Sequence, residues 1–104
     1  MKVLISDEAS NYLDDLIEIL YKKEYFGFIE NAEIYVINIY DFIYQNIDSF
    51  PSKKTPTKLE NFGTNYIFYK SNSRTTWYVF FEQQEDNYLI THILNNHCQE
   101  AKWL

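Results

Sequence analysis

Three aromatic-rich runs decide the fold: Asn65-Tyr66-Ile67-Phe68-Tyr69-Lys70, Thr76-Trp77-Tyr78-Val79-Phe80-Phe81-Glu82 and Tyr88-Leu89-Ile90-Thr91-His92-Ile93-Leu94. Only the polar segments Ser71-Asn72-Ser73-Arg74 and Gln83-Gln84-Glu85-Asp86-Asn87 lie near their junctions. β-Branched and aromatic residues suit a pleated, half-buried surface, and short polar segments close hairpins, so an antiparallel meander is predicted. In its middle strand Trp77, Val79 and Phe81 face one way and Tyr78 and Phe80 the other, which makes both faces apolar. One face can pack on helices. The other requires a cover, supplied by the C-terminal tail, a partner chain or a second copy of the protein.

The segments before the meander read as helices. Lys2 to Ile5 is a short apolar strand ending at Ser6, a suitable N-cap, with Asp7 and Glu8 placed where the helix dipole favours negative charge. Tyr12, Leu13, Leu16, Ile17 and Leu20 recur at helical spacing while Asn11, Asp14, Asp15 and Glu18 fall opposite, predicting a first helix over residues 7–23. Tyr25-Phe26-Gly27-Phe28 is an apolar connection whose glycine permits a turn. A second helical stripe runs over residues 29–50 through Ala32, Tyr35, Val36, Ile39, Tyr40, Ile43, Ile47 and Phe50. The β-branched residues Ile34, Val36, Ile37 and Ile39 would also suit a strand. Period favours helix, because Glu30, Asn31, Glu33, Asn38, Asp41 and Asn46 do not alternate with the apolar positions. Pro51 stops this helix, and residues 52–63 form a largely polar loop.

The expectation is therefore one α+β domain, residues 1–104, with two N-terminal helices packed on a small antiparallel sheet in the order β-α-α-β-β-β. A four-residue strand is not stable alone, so the first should join an edge of the meander, with both helices on one face. Leu13, Leu16, Leu20, Val36, Ile39, Ile43, Ile67, Val79 and Ile90 are expected to supply most of the core.

Aromatic residues make up 19% of the chain, with ten tyrosines and eight phenylalanines against two glycines and two prolines, which argues against disorder. A chain of 104 residues buries roughly 65% of its unfolded surface without needing a staple. The single cysteine, Cys98, has no internal disulfide partner. There is no membrane-length apolar run and no signal-peptide pattern, so a cytoplasmic protein is expected, with no membrane partner.

Net charge is −6, with nine Lys and Arg against fifteen Asp and Glu. An acidic chain is a poor general ligand for nucleic acid, whose phosphates demand basic side chains. Yet Lys53, Lys54, Lys58, Lys70 and Arg74 place five of the nine basic residues within 22 positions, so a local basic patch is expected.

The Asn-Tyr-Ile-Phe-Tyr-Lys phrase that opens the meander, the two helices before it, and Asn95-Asn96-His97 with a short polar tail after it resemble the RelE/ParE toxins of bacterial type II toxin-antitoxin systems, the plasmid-stabilisation-like proteins. The resemblance spans nearly the whole chain on short motifs. It implies a toxin held inactive by a cognate antitoxin that wraps the helices or the open sheet face. The implied mechanism is either ribosome-dependent cleavage of messenger RNA or binding of a topoisomerase without catalysis. For cleavage, Lys70 and Arg74 would contact phosphates and His97 would act as acid or base, since charge builds on phosphate oxygens during attack by a 2′-hydroxyl. The family phrase often reads Tyr-Arg-Ile-Phe-Tyr-Arg. Aligning it puts Tyr66 at the first arginine and Lys70 at the second, with Arg74 the nearest substitute. The missing arginine and the acidic balance favour the binding branch, or a member with weakened or lost toxicity.

Read without the resemblance, His97 is a turn histidine past the last strand, solvent-reachable and able to exchange a proton near neutral pH. Cys98 beside it is a poor thiol-imidazole pair, because neighbours on an extended segment point in opposite directions. His92 lies mid-strand on the face of Tyr88 and Ile90, as a structural histidine. One cysteine and two histidines give no recognisable metal spacing, and no Gly-rich phosphate loop exists, so no metal or cofactor is expected. The alternative from a different class is a non-enzymatic interaction module that pairs with itself or another chain through Trp77, Tyr78, Phe80 and Trp103.

Overall fold

Ser6 turns the first strand into a helix. In the computed structural model, which describes residues 1–23 and 29–104, β1 (Lys2–Ile5) runs into α1 (Asp7–Lys22). The Ser6 hydroxyl accepts from the Ala9 amide at 3.1 Å, and the Ser6 amide donates to the Ile90 carbonyl at 2.9 Å. One residue thus caps the helix and anchors it to the sheet. α1 buries Ala9, Leu13 and Leu16, keeps Asp7 and Glu8 in its first turn, and places Lys22 in its last, as the helix dipole favours. The turn expected at Tyr25-Phe26-Gly27-Phe28 lies outside the described residues.

α2 (Ile29–Asn46) is helical despite its β-branched residues, and buries Ala32, Val36, Ile39 and Ile43. It ends before the expected stop at Phe50. The Asn46 carbonyl accepts from the amides of Ser49 and Phe50 at 3.0 and 2.7 Å, which closes the helix in a turn. Pro51 disfavours a helical conformation at Phe50.

The strands β2 (Lys53–Lys54), β3 (Asn65–Lys70), β4 (Thr76–Gln84) and β5 (Asn87–Asn95) complete a five-stranded sheet in the order β1-β5-β4-β3-β2. β1 joins the meander at the β5 edge, where it pairs parallel, so the sheet is mixed and only the remaining pairings are antiparallel. Two features were not anticipated in residues 52–63: the short strand β2 and a 3-10 turn at Thr57–Phe62.

Register shifts between Phe80 and Phe81, which pair with His92 and Ile90, so Thr91 is an extra residue in β5. The bulge reverses side-chain alternation. Tyr88, Ile90 and Ile93 face the helices, whereas Leu94 joins the opposite cluster and His92 stacks on Phe62 there. The expectation that His92 shares a face with Tyr88 and Ile90 is corrected by this one inserted residue.

Two apolar layers flank the sheet. The helix-side core includes Leu13, Leu16, Val36, Ile39, Ile43, Ile67, Val79 and Ile90, all expected, together with Trp77, Phe81 and Ile93; Leu20 is half-buried against it. The second layer joins Leu59, Tyr66, Phe80 and Leu94, with Phe62, Phe68, Tyr78, Cys98, Ala101 and Leu104 packed around them. Its cover comes from the chain itself, through the turn at Thr57–Phe62 and a second 3-10 turn at Gln99–Trp103. No helix among the described residues is long and apolar enough to cross a membrane.

Candidate functional site

The loop after β3 and the turn after β5 are stitched together by asparagines. Asn72 Oδ1 accepts from the amides of Arg74 and Thr75 at 2.8 and 2.9 Å, holding the β3–β4 turn closed. Asn96 extends the ladder beyond β5: its amide donates to the Thr76 carbonyl, its Oδ1 accepts from the Thr76 amide, and its Nδ2 donates to the Arg74 carbonyl, each at 3.0 Å. Next to it, the His97 amide donates to Asn95 Oδ1 at 2.8 Å and His97 Nε2 lies 3.3 Å from the Thr75 hydroxyl. Arg74 and His97 are thereby brought to one end of the sheet, both exposed.

Lys70 is not part of that grouping. Side chains at 66, 68 and 70 of β3 share a face, and their partners in β4 are Phe80, Tyr78 and Thr76. Lys70 accordingly lines a shallow groove of about 300 Å³ on the face away from the helices, with Lys53, Tyr66, Phe68, Thr76, Tyr78 and Leu104. His97 lines a different cavity of about 510 Å³, on the helix side, against Leu16, Leu20, Tyr35 and Trp77. Trp77 forms its floor, with Nε1 donating to the Tyr35 hydroxyl at 2.8 Å and that hydroxyl bonded to Ser71 Oγ at 2.8 Å. Lys70, Arg74 and His97 therefore do not converge on one depression. Cys98 packs with the second apolar layer rather than in the His97 cavity.

The groove collects cations and rings that periodicity could not have joined. β2 pairs Lys53 with Tyr66, which puts Lys53 on the groove face with its ammonium 5.4 Å from the centre of the Phe68 ring. Beside it, Lys58 and Lys102 lie 4.2 and 5.1 Å from the centre of Trp103. The clustering of lysines was visible in the sequence. Their common face was not, because it depends on β2, a two-residue strand with no pattern of its own.

Charge divides along the chain in the same sense. Residues 1–50 carry ten acidic against three basic side chains, and residues 51–104 five against six, so the acidity belongs to the helices. Within the groove, burial and then the neighbouring Tyr78 push the Tyr66 hydroxyl above the usual tyrosine range, so it remains a protonated donor.

His92 is structural in its surroundings. Its ring stacks on Phe62 with centroids 3.9 Å apart and planes 6° from parallel, and Nδ1 lies 3.3 Å from Glu8 Oε1. Among the described residues no cluster of three or more His, Cys, Asp or Glu could hold a metal ion.

No family model matches the chain, and neither a curated protein nor a solved structure matches it.

Proposed function

We propose that the chain is the toxin half of a bacterial toxin-antitoxin pair of the RelE/ParE kind, and that it acts by gripping RNA in the groove between β2, β3 and β4. The observation that carries this reading is the meeting of Lys53 and Lys70 with the half-buried rings of Phe68 and Tyr78 on one sheet face of an otherwise acidic protein. Single-stranded nucleic acid is held by this combination, with ammonium groups on phosphates and bases stacked on rings. The element order agrees with what the resemblance implies.

Cleavage by Lys70, Arg74 and His97 acting as one set has little geometric support, since Lys70 and His97 line different depressions. In a cleaving member the groove would instead use Lys53 and Lys70 to meet charge on the phosphate and Tyr66 as phenolic donor. Topoisomerase binding through the same face is the non-catalytic version of this reading.

The interaction-module alternative is narrowed by burial. Trp77 and Phe80 are 2% and 0% exposed inside the molecule, which leaves Tyr78 and Trp103, 42% exposed, as the accessible members of that set.

Induced expression in a bacterial host tests the proposal. Growth should arrest and be relieved by coexpressing the product of the adjacent reading frame. Lys53→Glu with Lys70→Glu should abolish the arrest and leave the unfolding midpoint in place, because both side chains are exposed. Full arrest by that double variant would remove the groove from the mechanism. Full arrest after replacing Lys70, Arg74 and His97 together would eliminate nuclease action by those residues.

A further inference from the structure

The second helix carries apolar residues on two opposite sides, and the described residues cover only one of them. Ala32, Val36, Ile39 and Ile43 enter the core. On the other side Ile34, Ile37 and Tyr44 are 55%, 52% and 49% exposed, spaced three and then seven residues apart, with Asp41 between the last two. Helical geometry stacks these four side chains in one row about three turns long. Isoleucine loses rotamer freedom in a helix and has lower propensity than leucine, lysine or glutamate, so two exposed isoleucines weaken α2 unless something packs on them.

Charge says what that is. α2 carries Glu30, Glu33 and Asp41 and contains no lysine or arginine. Among the described residues the close contacts between acidic and basic groups are Met1 with Asp86 and His92 with Glu8, so none of the three acids of this helix takes part in one. A second copy docked through the same face would set these acids against one another, and a nucleic acid or an anionic membrane would be repelled. A helix from another polypeptide, with its own apolar row bordered by Lys and Arg, meets both the isoleucines and the carboxylates.

We propose that the outer face of α2, centred on Ile34, Ile37 and Tyr44, docks a cationic amphipathic helix of a partner protein. This goes beyond the groove reading: the face belongs to the helix layer, on the opposite side of the sheet from the groove, and its occupancy is independent of toxicity.

The test is a nuclear magnetic resonance titration of the isotope-labelled full chain with two synthetic helical peptides that share one leucine row. One peptide has Lys and Arg beside the row and the other has Glu. The cationic peptide should shift the amides of Ile34, Ile37, Asp41 and Tyr44 saturably, and the acidic peptide should not. Ile34→Lys with Ile37→Lys should weaken binding by about tenfold or more at an unchanged unfolding midpoint, as expected for truncating central anchors. Should that double variant unfold, Tyr44→Ser gives the same comparison. Asp14→Lys with Asp15→Lys, which alters the exposed acids of α1, should retain binding and so exclude attraction to the acidic helices in general. The proposal is overturned by shifts that map to α1 or to the sheet groove, by equal binding of both peptides, by unchanged affinity of the α2 variants, or by sedimentation showing a dimer of the free chain that those variants dissociate.

Discussion

Thr91 sits where β5 gains a residue over β4, and its hydroxyl reaches the carbonyl oxygens of Phe62 and Phe80. Gly63 leaves the room for it. A Cβ built on Gly63 would lie 2.7 Å from Thr91 Oγ1 and 3.0 Å from both Phe80 Cβ and the Phe81 amide nitrogen. Two of those neighbours are close to rigid backbone and cannot swing away. Gly63→Ala should therefore destabilise the fold by about 1 to 3 kcal/mol, as overpacking does, measured by chemical denaturation. An unchanged midpoint would mean that the bulge adjusts freely. Tyr12 links stability to alkaline pH. Burial, and then the electrostatic influence of Cys98, push its pKa up to about 12 from the ordinary value of 10.0. The folded state then holds the phenolic proton more tightly than the unfolded one, so the stabilisation is complete below the unfolded value and is lost as pH rises from 10 towards 12. Melting temperature should fall across that window, and Tyr12→Phe should reduce the fall. A variant with the same decline would assign the pH dependence to another group.

At the scale of elements, α2 resolves a conflict between propensity and period. Ile34, Val36, Ile37 and Ile39 would all suit a strand, yet Val36 and Ile39 enter the core because they lie two turns and one turn of helix from Ile43 on the same side. Packing of one face outweighs the few tenths of a kcal/mol that each β-branched residue costs in a helix. The two sides of α2 should consequently respond differently to truncation. Ile39→Ala, at a position 0% exposed, should cost about 2 to 5 kcal/mol. Ile37→Ala, at 52% exposed, should stay within about 0.5 kcal/mol of the parent in the isolated chain. Comparable losses at both positions would show that the outer face of α2 is already packed in the free protein.

Over the whole molecule, the second apolar layer is closed by segments that are local in sequence and weak alone. The turn at Gln99–Trp103 holds Ala101 and Leu104 against a cluster containing Phe80 and Leu94, which are 0% and 3% exposed. Deleting residues 99–104 should lower the thermal midpoint and cause concentration-dependent association, read by melting at two concentrations and by sedimentation, because an uncovered aromatic sheet face seeks another partner. A monomer of unchanged midpoint would show that the turn at Thr57–Phe62 covers the face unaided. The meander, both helices and the alternation of Trp77, Val79 and Phe81 against Tyr78 and Phe80 were determined by the sequence alone. They follow from local periods of 2 and 3.6 residues, which operate within a single element. The cluster of lysines near residues 53–74 was equally plain. Tertiary structure alone decided which of them share a surface, because Lys53 reaches the face of Tyr66 and Lys70 only through the β2–β3 register. It also decided that His97 turns to the helix side while Lys70 stays on the other. The bulge at Thr91 belongs to the same class, since an unpaired residue changes no local pattern and yet exchanges the faces of everything beyond it. Side-chain periodicity is a property of one strand, whereas a site is built from pairings between strands, and only the folded sheet contains those.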